Sequence, residues 1–438
     1  MSVIFSLTGN PFVDAGIYVI SELAGKRIEN IEVADLKRLY PKIIDVYFTE
    51  AWKGNLYSIF PNHPVTHNNK VNKIAGNPRR YKELLEALLG DIKPISDFGS
   101  CVACGKRSKS NFEIELKKKE KSGIGKHLVP LTGSADFVNF FPNATLGLEM
   151  CSACLFAIQF MPIFLHRCGG KFLLIHSNSE KVMRYWAKNC VADFNRQIAL
   201  GNFTGCYSND INDPVNSFFK SVEDMIVKYD EDWINEDVFI RFYYFSNYLQ
   251  SPFVEVFDIP TPVFRFLAYV KQVDAYSEWK DLVGRASGKR RNEVYVKLLD
   301  GESIIRYFFK NDREIFGNWN LLKFYLKEVR EMEERRINAI REFADRIAGL
   351  IRLLDDDKRL SQLERVEDYA GFRNVLRFLA KDAIRFGLNE PLIKFDEYVN
   401  LILPDGALGW NEVRDLLLFR IYEVLHSWLK EREVEKEE

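Results

Sequence analysis

The chain is organised around the stretch 98–155, which opens with the knuckle Cys101-Val-Ala-Cys104 and closes with Cys151-Ser-Ala-Cys154. Two Cys-x-x-Cys knuckles can bring four soft thiolates to one tetrahedral ion. The interval between the pairs is longer than a compact zinc ribbon needs, so we expect the knuckles to meet in space with a basic excursion between them. Ordinary buried or redox-active thiols are the alternative, but the doubled spacing is a stronger signal than one pair. The pattern predicts a structural Zn²⁺ site with these four cysteines as ligands.

Length and composition limit the classes of protein that fit. The chain has 438 residues, of which 47% are hydrophobic, and this suffices for two or three domains with sizeable cores. The formal net charge is -1, which excludes a globally basic nucleic-acid binder. Any contact with a polyanion therefore has to come from local patches. The aromatic content of 14% fits bulky cores and would also supply stacking surfaces for bases.

The sequence predicts a soluble protein of the cytoplasm with no membrane partner. Its first residues lack the basic region and the long apolar core of a secretory signal. The longest apolar run, 154–165, is interrupted by glutamine and proline and is too short to cross a bilayer of about 30 Å. Cys168, Cys190 and Cys206 lie outside the knuckles, and such unpaired cysteines fit a reducing compartment.

The segment 60–80 has no apolar periodicity and is rich in asparagine and basic residues. These side chains carry the donors and acceptors that contacts with phosphates and base edges require. We interpret the segment as a DNA-reading loop, with a solvated loop as the alternative. The candidates for base edges are Asn68 and Asn69, and the candidates for phosphates are Lys70, Lys73, Arg79 and Arg80.

A second basic patch follows the first knuckle. Residues 101–127 contain eight lysine and arginine residues against three glutamates, and Lys106 and Arg107 come directly after the knuckle. A loop that is stiffened by a metal and carries this charge favours contact with a polyanion, with a merely solvated face as the alternative. We therefore predict that Lys106 and Arg107 form a second clamp on the nucleic acid.

A third basic patch lies at residues 284–291. Its glycines faintly evoke a phosphate-binding loop, but the spacing is one residue short, and Arg290 stands where a Ser or Thr would coordinate magnesium. ATP binding is therefore unsupported. We interpret Lys289, Arg290 and Arg291 as a basic loop that touches an RNA or DNA backbone, with a solvated loop as the alternative.

Near the N-terminus, residues 3–6 have the pattern of a short strand, and a helix is expected to follow. Asn10 before Pro11 is a helix start, because a proline in the first turn loses no needed hydrogen bond. Apolar spacing carries this helix to Gly25, where it should stop. Residues 43–48 are predicted to form another strand.

A family resemblance follows from these motifs. The opening Thr8-Gly-Asn-Pro-Phe-Val-Asp-Ala-Gly16 and the two later Cys-x-x-Cys pairs resemble the CRISPR-associated CXXC-CXXC family, a large subunit of the type I (I-A- or I-B-like) surveillance complex Cascade. The resemblance is specific in the N-terminal third of the chain. It implies a non-catalytic subunit in prokaryotic antiviral defence. Such a subunit contacts the crRNA 5′ end, the backbone subunits, the crRNA 5′-end subunit and the small subunit, recognises the target-flanking motif (PAM) in double-stranded DNA, and recruits the helicase-nuclease.

The C-terminal part has the pattern of a helical bundle. Apolar stripes predict one long helix over 319–354, a second helix introduced by the capping box Ser361-x-x-Glu364, and two more helices between 391 and 430. Some large subunits that resemble this chain also yield a small subunit by internal translation, and Met332 within the long helix is the candidate start.

Together these patterns predict an α+β protein. We divide it into a mixed α/β nucleic-acid-binding domain, 1–310, with the zinc element 98–155 inserted in it, and a four-helix bundle, 311–438. The sequence has no nucleophile elbow, no His-Glu-x-x-His motif and no Walker loop. We therefore expect no catalytic residues. The alternatives are a zinc-stabilised nucleic-acid-processing enzyme, such as a nuclease, with an unrecognised active site, and a Cys-x-x-Cys thiol-disulfide oxidoreductase.

Overall fold

The structure is a computed structural model that describes residues 3–66, 68–69, 74–75, 77–96, 98–110, 114–117, 120–122, 124–132, 138–139, 145–228, 233–247, 252–286, 290–311, 314–315, 319–404 and 406–437. The fold is α+β, as predicted, with a small antiparallel sheet and a helical C-terminal region. The chain forms two compact units, Met1–Lys228 with Asp237–Thr261 and Tyr229–Glu236 with Pro262–Glu438. The boundary expected at residue 310 lies inside the second unit, because 262–310 is compact with the helices that follow it.

The first unit combines helices with one larger sheet and three short strand pairs. Its helices are α1 (Pro11–Ala24), α2 (Val33–Tyr47), α3 (Glu50–Ile59), α4 (Pro78–Gly90), α5 (Ser152–Ile158), α6 (Met161–Phe164), α7 (Glu180–Leu200) and α8 (Pro214–Lys228). Its strands are β1 (Asn68–Asn69), β2 (Ile74–Ala75), β3 (Ile114–Lys117), β4 (Glu120–Ser122), β5 (Val138–Asn139), β6 (Thr145–Leu146), β7 (His166–Cys168), β8 (Lys171–Ser177), β9 (Ile240–Ser246) and β10 (Phe253–Ile259).

The larger sheet is antiparallel in the order β10-β9-β8-β7. Its central strands are rich in aromatic and β-branched residues, which fit a pleated, half-buried surface. Leu174 lies opposite Tyr243, and Ile175 lies opposite Phe242. Residues 172–175 of β8 are all buried, and α1 and α7 pack against this strand. The sheet and these helices therefore form the core of the first unit.

Helix α1 is the central helix of this core. As predicted, Asn10 caps it: the Asn10 Oδ1 atom accepts hydrogen bonds from the backbone N–H groups of Phe12 (3.1 Å) and Val13 (3.2 Å). Gly25 ends it with a left-handed φ of 66°. The strand predicted just before it is wrong, because residues 3–8 form no regular secondary structure.

The strand predicted over residues 43–48 is also wrong, since most of this segment is the last turn of α2. Its apolar run faces the core once per helical turn, with Ile43, Val46 and Tyr47 buried. The Tyr47 hydroxyl donates a hydrogen bond to the Gln159 carbonyl (2.9 Å). A short apolar run has the same composition in a buried helix as in a buried strand, and neighbouring elements decide between them.

The second unit is mainly helical. Its helices are α9 (Thr261–Gln272), which starts at the unit boundary, α10 (Tyr276–Gly284), α11 (Glu293–Leu299), α12 (Trp319–Glu328), α13 (Glu334–Leu354), α14 (Lys358–Glu364), α15 (Tyr369–Arg385), α16 (Phe395–Glu397) with a π-helical turn at Tyr398–Ile402, and α17 (Trp410–Glu437). Its strands β11 (Phe309–Asn311) and β12 (Glu314–Ile315) form a short antiparallel pair. Helix α13 packs along α17.

Two expectations for this unit are corrected. The long helix predicted over 319–354 is two helices, because the chain turns at Glu331, whose φ is 50°. Met332 therefore precedes α13. It is buried, and its N–H donates a hydrogen bond to the Leu326 carbonyl (2.9 Å). Ser361 is no cap, since it lies within α14. The cap of α15 is Asp368, whose carboxylate accepts the Gly371 N–H (2.6 Å).

Candidate metal centre

The four predicted ligands converge in the structure. Their Sγ atoms all lie within 4.8 Å of one another, and the Sγ atoms of Cys104 and Cys151 are 3.9 Å apart. Four sulfurs at about 2.3 Å from a tetrahedral Zn²⁺ lie about 3.8 Å from each other. The set therefore has the dimensions of a four-cysteine metal centre. Within the ranges that the structure describes, it is the one group of three or more His, Cys, Asp or Glu residues with such proximity.

The first knuckle is a tight turn that its own backbone holds together. Gly105 has a left-handed φ of 61°, and its N–H donates to the Cys101 carbonyl (2.8 Å). The Cys101 N–H donates in turn to the Arg107 carbonyl (3.0 Å). A Cβ atom on Gly99 would lie 2.3 Å from the Arg107 backbone nitrogen. The turn therefore depends on glycine at two positions, one for its φ and one for its close approach.

The second knuckle is built differently, because it starts a helix. Cys151 occupies the N-cap position of α5, and Cys154 lies in the first turn. Every residue from 151 to 165 is buried. Helix α1 packs so closely on α5 that a Cβ atom on Gly16 would lie 1.8 Å from the Ala157 carbonyl oxygen. Two cysteines of the cluster are therefore fixed to the core of the first unit.

Backbone hydrogen bonds join the two knuckles directly. The Val102 N–H donates to the Glu149 carbonyl (2.8 Å), and the Ser110 N–H donates to the Met150 carbonyl (2.7 Å). These bonds lie beside the cysteines and align the turn with the start of α5. The cysteines therefore meet through backbone pairing of the protein itself, and not only through side chains.

Three polar side chains form a hydrogen-bonded group between the C-terminal end of α4 and the cysteine cluster. Asp91, the C-cap of α4, accepts hydrogen bonds from the hydroxyls of Ser152 (2.7 Å) and Ser110 (3.1 Å), and the two hydroxyls lie 2.6 Å apart. Ser152 follows the ligand Cys151 in the chain. Such second-layer hydrogen bonds orient the elements that carry metal ligands.

Mutual hydrogen bonds spread the pKa values of the four thiols. Hydrogen bonding from Cys151 holds the pKa of Cys101 far below its ordinary value, and hydrogen bonding from Cys154 lowers the pKa of Cys104 to about 6. The same contacts, in which Cys151 and Cys154 keep their protons, raise the pKa of Cys151 to about 12 and that of Cys154 further. A divalent cation at this position would displace the remaining protons, since metals bind the thiolate.

The structure places Lys106 and Arg107 in different environments. Arg107 is buried, with 3% of its surface exposed. Its guanidinium donates to the carbonyl oxygens of Lys93 (2.8 Å) and Ile4 and ties the knuckle to the N-terminal segment. Lys106 is exposed, and its Nζ lies 3.3 Å from the Ser6 hydroxyl. Of the two predicted phosphate contacts, Lys106 is thus available at the surface, whereas Arg107 serves the fold.

The predicted DNA-reading loop is described in part. Asn68 and Asn69 form β1, paired with β2, and Lys70 and Lys73 lie outside the described residues. Arg79 and Arg80 are exposed in the first turn of α4. Arg79 pairs with Glu83 (3.0 Å).

The other basic loop is described in part as well. Lys289 lies outside the described residues. Arg290 is exposed and Arg291 is half-buried, and both follow α10 in the second unit. The structure does not bring this loop into one compact unit with the cysteine cluster.

Sequence reasoning missed the role of Asp14 in the Thr8–Gly16 motif. The buried Asp14 carboxylate accepts hydrogen bonds from the Thr8 N–H and hydroxyl (both 2.8 Å) and from the Gly9 N–H (3.0 Å). It also lies 3.3 Å from the His176 Nε2 atom on β8. The motif therefore closes the turn before α1 and ties it to the sheet. An aspartate three positions after a helix-starting proline was the signal that could have revealed this.

Comparison with known families agrees with the cysteine geometry. Residues 96–165 match the family model described as CRISPR-associated protein (Cas_CXXC_CXXC). The match covers both knuckles and extends through α5 and α6. It supports a CRISPR-associated CXXC-CXXC family and a CRISPR-related role. No curated protein matches the chain. In the part of the chain that the structure describes, no helix is long and apolar enough to span a membrane.

Proposed function

We propose that this chain is the non-catalytic large subunit of a type I CRISPR RNA-guided Cascade complex, which acts in the cytoplasm of a prokaryotic cell in antiviral defence. One observation carries the proposal: the segment that matches the CRISPR-associated family model is also the segment in which four cysteines converge. The opening motif supports it, since its residues build the turn before α1 and the contact between α1 and α5.

In this proposal the cysteines hold a structural Zn²⁺. Four sulfur ligands with the observed spacing suit a tetrahedral zinc site closed to further ligands. Three of the four cysteines are buried, and all are free of disulfides. Because the ligands come from two separate segments, the ion would lock the first knuckle onto α5. Its role is to fix a surface, and no catalytic step is assigned to it.

The outer side of the first knuckle supports contact with the crRNA or with target DNA. Phe98 is 92% exposed and Val102 is 65% exposed, and Lys106 and Lys109 are exposed beside them. An exposed aromatic ring can stack on an unpaired base, and the ammonium groups can contact phosphates. A surface of this kind suits the crRNA 5′ end or the strands next to the flanking motif.

Helix α4 supports a second basic contact. Arg79 and Arg80 lie in its first turn, and Asp91 at its other end bonds to Ser152 beside the cysteine cluster. Thirteen helical residues span about 20 Å. Helix α4 thus links Arg79 and Arg80 to the cysteine cluster through a rigid element. We assign the base contacts of flanking-motif recognition to the adjoining pair Asn68 and Asn69.

The second unit supports the proposed contacts with other subunits and with the helicase-nuclease. Large apolar side chains are exposed at the end of α15, namely Ile384 (77%) and Phe386 (57%), and at the start of α16, namely Phe395 (79%). Contact with a partner subunit would remove these apolar side chains from water. Arg377 and Arg385 lie on α15 and would suit an acidic partner or a nucleic-acid backbone.

Purification from the native host tests this proposal. We expect the tagged protein to copurify with a guide RNA of repeat-derived 5′ sequence and with several further subunits. The control is an equally abundant tagged protein from the same cells. Recovery of the full-length protein without guide RNA and without partner subunits, under conditions that preserve complexes, would overturn the assignment.

A further inference from the structure

A cavity of about 250 Å³ lies in the first unit between α7, α8 and the strand β7, and the proposed function does not use it. Its lining includes His166, Trp186, Tyr207, Asn189 and Lys228. Pockets for drug-sized ligands begin at about 300 Å³, so this cavity suits one small ring system with its substituents. All of these residues belong to the same compact unit.

The most unusual group in the cavity wall is His166. It is 4% exposed, and neither of its ring nitrogens has a hydrogen-bond partner in the described part of the chain. Burial lowers its pKa to about 3, so the imidazole is neutral and offers one donor and one acceptor. An unsatisfied buried polar group costs about 1–3 kcal/mol.

The aromatic side chains around His166 form a stack. The His166 ring lies 3.9 Å from Trp186 and 4.3 Å from Tyr207, centroid to centroid. The Trp186 indole N–H donates to the Phe164 carbonyl (3.0 Å) and holds the stack in position. Tyr207 is half-buried and lines the cavity. Such a surface suits a flat aromatic ligand better than an aliphatic one.

The carboxylates that line the cavity have cationic or amide partners, and Lys228 lies at its rim. Asp193 is bonded to Arg196 and to the Gln197 amide (2.8 Å). Asp224 is bonded to the Lys220 ammonium (2.6 Å). The carboxylates thus have partners already, and Lys228 is exposed at the rim. A neutral ring inside with an anionic group outside fits this distribution.

We propose that this cavity binds a single nucleobase, stacked on Tyr207, with Asn189 as the hydrogen-bonding group and Lys228 on the attached phosphate. Aromatic platforms with amide side chains are the usual means by which proteins hold an unstacked base. The base belongs either to a free nucleotide or to an unpaired nucleotide of a strand. The second case rests on the proposed function, since it requires the chain to work on nucleic acid.

The test uses the full-length protein and two fluorescent probes, 2-aminopurine ribonucleoside monophosphate and a short single-stranded RNA with one 2-aminopurine. We expect saturable binding with quenched probe fluorescence. Tyr207→Leu should weaken binding about 5- to 150-fold through lost stacking, and Asn189→Ala should weaken it about 2- to 10-fold. Lys188→Ala is the matched control, because Lys188 is exposed on the same helix outside the cavity.

The two sources are distinguished by comparing the two probes. Binding of the monophosphate that equals or exceeds that of the strand identifies a free nucleotide, whereas tighter binding of the strand identifies an unpaired nucleotide. Lys228→Ala should weaken both probes, because Lys228 is placed on the phosphate attached to the base. The proposal is overturned if neither probe binds saturably, or if Asn189→Ala and Tyr207→Leu bind as the wild type does while circular dichroism shows both folded. If guide RNA copurifies with the native complex but these variants bind the probes normally, only the proposed base site is wrong. If the protein binds the probes but no guide RNA copurifies, only the Cascade assignment is wrong.

Discussion

The two Cys-x-x-Cys knuckles share one spacing but differ in what holds them. The second is the start of helix α5, is buried throughout, and packs against α1 at Gly16. The first is a turn with exposed side chains, held by backbone hydrogen bonds and by the buried Arg107 guanidinium. The comparison shows that a metal would add little to the position of the second knuckle and much to that of the first. Four experiments test this difference, from the largest expected effect to the smallest.

The strongest test is Gly16→Val, because the added side chain would collide with the Ala157 backbone. Neither α1 nor α5 can move without opening the core, so we expect a loss of about 3 kcal/mol or more in the free energy of unfolding. Gly54→Ala is the control: a Cβ atom on Gly54 in α3 meets nothing within 4 Å, and alanine favours the helix by about 0.5–1 kcal/mol. Urea unfolding measures both. A mild loss for Gly16→Val would mean that α5 is not fixed as tightly as described.

Metal removal should separate the two knuckles most clearly. After treatment with a chelator, or in Cys151→Ser, we expect protease cleavage within 98–110, while 151–165 stays protected by the core. The free energy of unfolding should fall by about 2–4 kcal/mol. Added Zn²⁺ should restore it in the wild type but not in Cys151→Ser. Cys190→Ser is the control, since Cys190 is outside the cluster.

Metal analysis, mass spectrometry of thiols and limited proteolysis provide the measurements. One zinc per chain is the expected content. A chain that lacks zinc and contains a disulfide between Cys101 and Cys104 or between Cys151 and Cys154 would instead favour the thiol-disulfide oxidoreductase. One structural feature is consistent with that alternative: Cys151 begins a helix, as a reactive cysteine of an oxidoreductase does.

The third test removes the tie between the first knuckle and the N-terminal segment. Arg107→Met keeps much of the volume but leaves the Lys93 and Ile4 carbonyls without their donor. We expect a loss of about 2 kcal/mol and faster release of the metal. Lys106→Met is the matched control and should change stability by less than about 0.5 kcal/mol, because Lys106 is exposed. Equal effects of the two variants would contradict the structural role of Arg107.

The fourth test concerns the exposed side of the first knuckle, which has no counterpart on the second. Lys109→Ala in the assembled complex should weaken binding to target DNA whatever its flanking sequence, and should reduce the salt slope by roughly one unit. Asn68→Ala with Asn69→Ala should instead erase about 1–3 kcal/mol of discrimination between correct and scrambled flanks. An unchanged flank preference in the double variant would show that this loop does not read the motif.

The ligand set could be predicted from the sequence because four cysteines at two fixed spacings leave few arrangements. The start and end of α1 were predictable for the same reason, since Asn10, Pro11 and Gly25 act locally. The outcome for Arg107 was not predictable, because its burial depends on carbonyl groups about 100 residues away in the chain. The strand predicted over 43–48 failed for a similar reason, since tertiary contacts decided its conformation.

The cavity around His166 had no signal in the sequence at all. Its lining comes from β7, α7, α8 and the segment at Tyr207, and none of these has a recognisable motif. From the sequence, a single histidine among apolar residues is predicted to be an ordinary core residue. Only the absence of partners for its ring nitrogens in the described structure distinguishes it.

The close packing of Gly16 on Ala157 also has a consequence for the order of events during synthesis. Helix α1 leaves the ribosome about 140 residues before the backbone that it must contact, which at about 5–20 residues per second is roughly 7–28 seconds. Through that interval a helix whose residues 13–21 are all destined for burial has α2 beside it but lacks α5, α6, α7 and β8, which cover most of it. The nascent chain should therefore be a substrate for holding chaperones until α5 is made. Ribosome-bound chains stalled before and after residue 165 would show this as a drop in chaperone occupancy.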